Sequence, residues 1–283
     1  MIYVTMKEVR MKKMTLLLTV CLLASVLWGC GGGKPSKPRN ADLETEVLPL
    51  LEESIRSMAA LKGYRIRGSL EMGAGGEGAG DSGTLRMDMD SDVENTESGT
   101  NQYMRMDMNG LVTEAYIYGD YFYQNVPGKG WIKTGLAQYQ AQSQNLSTGV
   151  IREEQLRLIM DSAVEATIRD GEEGTRELSL VLGKEFLLRS LQYFREEAGE
   201  EAMGRMEQWM SAMEEAAEGF TATLTLVVER ESHLIKEMEM AIEMRDIPGM
   251  GTYRSRMHAE IYDYGGDIHI ELPAEAKNAP LQE

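Results

Sequence analysis

The chain has 283 residues, 46 acidic against 29 basic, and a formal net charge of −17. A surface this negative repels phosphate backbones and anionic head groups, which excludes nucleic acid as a partner and basic-patch contact with a membrane. Methionine, at 21 residues, is the compositional oddity.

Met11-Lys12-Lys13 forms a short positive region ahead of an apolar run, Met14 to Leu27. That run is shorter than the about 20 residues a permanent span needs and suits a secretory leader. Residues 1–10 add nothing to the signal, so translation can start at Met1 or Met11. The run ends in Leu27-Trp28-Gly29-Cys30. This resembles the lipobox of bacterial prolipoproteins, which implies diacylglycerol on the Cys30 thiol, cleavage after Gly29 and a lipid anchor on the outer face of the cell membrane. Trp28 is bulkier than the usual residue there. Cleavage leaves 25 basic and 45 acidic residues, a net −20. Cys21 goes with the leader, and a mature chain holding Cys30 alone has no disulfide, no cysteine zinc site and no thiol redox pair.

Residues 30–41, rich in Gly and Pro, read as a lipidated tether. From 42 to about 62, Leu43, Val47, Leu50, Leu51, Ile55, Met58 and Leu61 recur at helical spacing, and Gly63 ends the run. The period then drops to two. Tyr64, Ile66, Leu70 and Met72 alternate with Arg65, Arg67 and Glu71. After a Gly-rich turn at 73–83, Leu85, Met87 and Met89 alternate with Arg86, Asp88 and Asp90. Met104, Met106 and Met108 alternate with Tyr103, Arg105 and Asp107. These runs predict an antiparallel meander, continued by strands at 112–118, 120–126 and 131–133. A polar stretch at 136–149 reads as loop, 150–162 as helix, and 163–170 with 175–182 as a hairpin. Residues 184–218 read as helical, broken near Gly199 and Gly204. Strands at 220–229, 234–246, 252–263 and 267–272 close the chain. Helices interrupt strands instead of alternating with them, which predicts an α+β fold: one strongly curved antiparallel sheet of about 10–11 strands with helices on one face.

Three stretches then carry a resemblance. Leu61-Lys62-Gly63-Tyr64-Arg65-Ile66-Arg67-Gly68 follows the opening helix. Tyr121-Phe122-Tyr123 leads to Gly130-Trp131-Ile132-Lys133. Ile261-Tyr262-Asp263-Tyr264-Gly265 precedes Ile268-His269-Ile270 and Leu272-Pro273-Ala274-Glu275-Ala276. Over about residues 45–278 the chain resembles LolA-like (LppX-like) bacterial lipoproteins, closest to a Gram-positive, clostridial-type group of that fold without an assigned ligand. The resemblance implies a single LolA-like domain over 42–283, a half-barrel with helices over its concave face. In lipoprotein carriers and mycobacterial glycolipid-binding lipoproteins that side holds acyl chains; the same fold also occurs in sensor domains that read envelope stress.

The candidate hydrophobic cavity comprises Ile66, Leu70, Met87, Met89, Met104, Met106, Met108, Met238, Met240, Ile242, Met244 and Met257. Methionine is flexible and polarisable and suits surfaces that adapt to variable apolar partners. The same residues would equally make a plain methionine-rich core. Catalysis finds no signature. His233, His258 and His269 read as solvated strand or turn residues, without nucleophile partners or metal spacing. The glycines of 73–83 lack a phosphate-binding lysine. Asp88, Asp90 and Asp92 have calcium-loop spacing but alternate like a strand. Tyr116, Tyr118, Tyr121, Phe122 and Tyr123 read as hairpin packing before a ligand mouth. No cofactor is expected. Two functions stay open: a membrane-tethered binder of lipid or another amphiphile, and a non-enzymatic sensor or interaction domain that engages another envelope protein and carries no cargo.

Overall fold

A computed structural model of the protein describes residues 39–75, 84–97, 99–136, 153–172, 174–197, 200–249 and 251–282. The leader, Cys30, most of the tether, the core of the Gly-rich turn and residues 137–152 lie outside the described residues.

Asp42 caps the first helical segment, its Oδ1 accepting from the Thr45 N–H at 2.7 Å. One π-turn over 43–47 leads into α1 (48–59), shorter than the apolar spacing predicts. Then β2 (63–75), β3 (85–96), β4 (99–108), β5 (111–118), β6 (121–126) and β7 (130–135) form a meander. The turn between β4 and β5 is Asn109-Gly110, with φ of 53° and 86°. Positive φ at both central residues matches the twist of the flanking strands, and Asn-Gly is the pair that tolerates it. Next come α2 (153–162), β8 (163–170), β9 (175–182), α3 (184–197), α4 (200–215), β10 (220–229), β11 (235–247), β12 (251–262) and a one-turn α5 (274–277).

All strands belong to one open antiparallel sheet of 12 strands, ordered β1-β8-β9-β10-β11-β12-β2-β3-β4-β5-β6-β7. Its middle is a seam between β12 and β2, with Met257 opposite Leu70. Two expectations change at the edges. The end of the tether, Arg39–Asn40, is the short strand β1, paired with β8 and held by the Ala41 N–H on the Ala166 carbonyl. Residues 267–272 are not a strand, because β12 already pairs with β11 and β2 and offers no free edge. That segment instead leaves β12 by a turn with Asp263 and Gly265 at positive φ and runs to the far side of the meander. There the Lys133 N–H donates to the Pro280 carbonyl and the Gln282 N–H to the Lys133 carbonyl, so the chain end covers the edge strand β7. Gly204 sits inside α4 and does not break it, although glycine is a weak helix former.

Candidate functional site

Side chains alternate across a strand, so register fixes which residues share a face. One rung runs Leu180, Leu224, Met240, Met257, Leu70, Met87, Met108, Leu111. The next runs Leu178, Leu226, Met238, Ala259, Gly68, Met89, Met106, Thr113. Ile66 with Met104, and Ile242 and Met244, fall on neighbouring rungs of the same phase. All twelve predicted cavity residues therefore share one sheet face.

They do not share one environment. Leu180 is 0% exposed, Met240 and Leu70 are 4%, and Leu111 is 50%. Between these ends, Met87 and Met108 are half-buried. Ile66, Leu70, Met238, Met240, Met244 and Met257 are sealed in one large cluster with Leu50, Leu51 and Met58 of α1, Leu187 and Leu191 of α3, and Met210 and Met213 of α4. Ile242 and Met87 pack at its margin. A second, small cluster of Ala115, Ile117 and Phe122 takes Met104 and Leu136 at its edge. Among the described residues, Met89, Met106 and Met108 are half-buried and belong to neither cluster. They form an apolar strip between two cores.

A polar pair sits in the same phase. Ser91 and Gln102 occupy inward positions on β3 and β4 and are buried. The Gln102 Nε2 donates to the Ser91 Oγ at 3.0 Å, and that hydroxyl donates to the Tyr103 carbonyl at 2.8 Å. Gln102 Oε1 is buried with no hydrogen-bond partner among the described residues. The sequence does hold this signal: Ser91 is in step with Met87 and Met89, and Gln102 with Met104 and Met106, where alternation calls for apolar residues.

The opposite face is charged and paired. Arg65 meets Asp92 at 3.2 Å, Arg67 meets Asp90 at 3.3 Å and Arg86 meets Asp88 at 2.9 Å. The three aspartates are thus strand residues with arginine partners. Arg254 on Glu243 and Arg256 on Glu239 continue the pattern on β11 and β12. Exposed pairs of this kind each contribute little, but together they neutralise a strongly acidic sheet. Glu237 is the exception: burial and the carboxylates of Glu260 and Glu177 push it up to about 7.

The histidines stay apart. His233 occupies the β10–β11 turn at φ 57°. His258 lies opposite Glu239 and Ser69 on the charged face. His269, expected on a strand, lies on the crossing segment, 3.2 Å from Glu94 and 3.5 Å from Glu271. A hydrogen bond to the Glu94 carboxylate, with that group's charge, raises the His269 pKa. Among the described residues no group of His, Cys, Asp and Glu could hold a metal ion, and no described helix is long and apolar enough to cross a membrane.

The aromatic run splits between the faces. Phe122 joins the small cluster beside the methionine strip. Tyr123 is buried on the other face with Leu272 and Ala276, packed by Tyr116, Tyr118, Tyr121 and Trp131. The Tyr103 and Tyr116 rings meet at a tilt of 43° with centroids 4.9 Å apart, and the Lys133 Nζ lies 3.6 Å from the Tyr121 ring centroid. This is cross-strand packing, roofed by the C-terminal segment.

The model described as "Family of unknown function (DUF6612)" matches residues 46–280, and the chain belongs to that family. Among the curated proteins none matches. Of solved structures, a LolA superfamily protein, NE2245 from Nitrosomonas europaea, is 9% identical, covering 80% of this chain and 94% of that one at a TM-score of 0.30. A beta-barrel-like protein of a domain of unknown function (DUF1849) from Brucella abortus is 11% identical, covering 72% and 99% at a TM-score of 0.21. Scores of this size transfer neither fold nor function.

Proposed function

We propose that the protein is a lipid-anchored extracytoplasmic lipoprotein whose 42–283 domain binds a lipid or other amphiphile on the methionine face of its sheet, without catalysis. The observation that carries the reading is the half-buried strip of Met89, Met106 and Met108, held between two apolar clusters and packed into neither. A soluble domain gains by sealing such surface, at about 25 cal/mol per Å². An apolar strip left open therefore fits an apolar partner. In this reading the sheet is curved in the LolA-like manner, the helices fill one half of its hollow, and the strip lines the other. The anchor rests on Leu27-Trp28-Gly29-Cys30 alone.

Fluorescent fatty-acid uptake tests the binding, compared between wild type and Met106→Glu. A folded Met106→Glu protein with uptake abolished supports the reading. A wild type that takes up no probe refutes it and favours the sensor or interaction class. Cys30→Ala tests the anchor by fractionation: the variant should leave the membrane pellet, and a variant cleaved after Gly29 that still sediments would refute lipidation at Cys30.

A further inference from the structure

We propose that the thioethers of Met89, Met106 and Met108, completed by Met87, form a binding site for a soft monovalent metal ion, Cu(I) or its redox-inert analogue Ag(I). The argument starts from register. Met87 lies opposite Met108 and Met89 opposite Met106, on adjacent rungs and the same face. Directly opposed side chains in an antiparallel pair start about 5 Å apart, and same-face neighbours along one strand about 7 Å apart. The four β-carbons thus mark a small rectangle. A methionine side chain has three rotatable bonds, enough to turn its sulfur over the centre of that rectangle. Four leucines in the same places would give the same apolar area and no lone pairs.

Two features leave the sulfurs free to turn. Gly68 faces Met89 from β2 and the small Thr113 faces Met106 from β5, so this rung is flanked by small residues, while Leu70 and Leu111 flank Met87 and Met108 on the next. Met89, Met106 and Met108 are also committed to neither packed cluster. The molecule divides its methionines accordingly: Met238, Met240, Met244 and Met257 are 2–4% exposed inside the core, while the β3–β4 set is half-buried.

The ligand type selects the metal. Neutral thioethers are soft donors that favour Cu(I) over hard cations or Zn²⁺. A thioether carries no proton in the working range, so binding is insensitive to pH, whereas cysteine and histidine sites release their metal as protons compete. The ion brings one positive charge to a chain of net −17, which favours it at long range. This inference does not rest on the amphiphile reading, although both use the same face.

The test is titration of Ag(I) alone, in chloride-free buffer, into the full chain in detergent. Cys21→Ala and Cys30→Ala remove the competing thiols. Native mass spectrometry should count one ion per chain at mildly acidic as at neutral pH. Met89→Leu/Met106→Leu/Met108→Leu should weaken binding roughly tenfold or more, while keeping the fold by circular dichroism, since the swap conserves apolar volume. The buried pair Met238→Leu/Met240→Leu should bind as the parent does. No ion on the parent, undiminished binding in the triple variant, or loss at mildly acidic pH would each overturn the site. Failed fatty-acid uptake with intact Ag(I) binding would sink only the amphiphile reading.

Discussion

The two halves of the sheet carry the same alternation and end in different states. On β9 to β12 and β2, most inward residues share one buried cluster with side chains of α1, α3 and α4. On β3 and β4, inward methionines of the same pattern stay half-buried. The difference teaches that a period of two assigns a face, while exposure depends on what the rest of the chain lays over it.

Charge insertion breaks the comparison most sharply. Met240→Glu places a carboxylate among Leu224, Met257 and the helix side chains, where no partner waits. The cost is several kcal/mol against a total stability of about 5–15, so the variant should be unfolded by circular dichroism at 37 °C. Met106→Glu can reach water and should melt within a few degrees of wild type. Equal unfolding of both would show that the open half is sealed too.

Truncation gives a smaller contrast. Leu180→Ala should destabilise by about 2–5 kcal/mol in urea melts, because its cavity cannot collapse. Met89→Ala should cost about 1 kcal/mol or less, since its surroundings are already partly water. A large loss at Met89 would place it in a packed core.

The smallest effect lies on the charged face. A carboxyl whose folded pKa is raised binds more protons folded than unfolded, so stability falls as pH rises between the two values. For Glu237 that window runs from 4.5 to about 7. Glu237→Gln should therefore raise the melting temperature at pH 8 by roughly 1–3 °C, after allowance for solvent screening, and change it little at pH 4. A gain confined to acid would reverse the assignment.

Much of this was legible in the chain. The hairpin at 163–170 and 175–182 and the strand at 220–229 stand where alternation puts them. The arginine-aspartate alternation of β2 and β3 announces their charged face. The failures share one cause, which is that local pattern does not contain pairing. Residues 267–272 alternate like a strand but find both edges of β12 occupied. Ile66, Met240 and Met106 look alike in sequence, and what separates them is that the first two join the large buried cluster and the third does not. The Ser91–Gln102 pair breaks the apolar phase and could have been found; its burial could not.

The seam between β12 and β2 sets a condition on how the molecule is made. It zips the first long strand of the chain to the last, Ile66 beside Ile261 and Leu70 beside Met257. Contacts so distant in sequence form late and slowly. Until β12 exists, β2 exposes an unsatisfied flank of N–H and C=O groups, and the large cluster lacks Met257, Ala259 and Ile261. A chain that has not yet added β12 is thus kept from completing this sheet, and the flank of β2 stays open to pairing until it does.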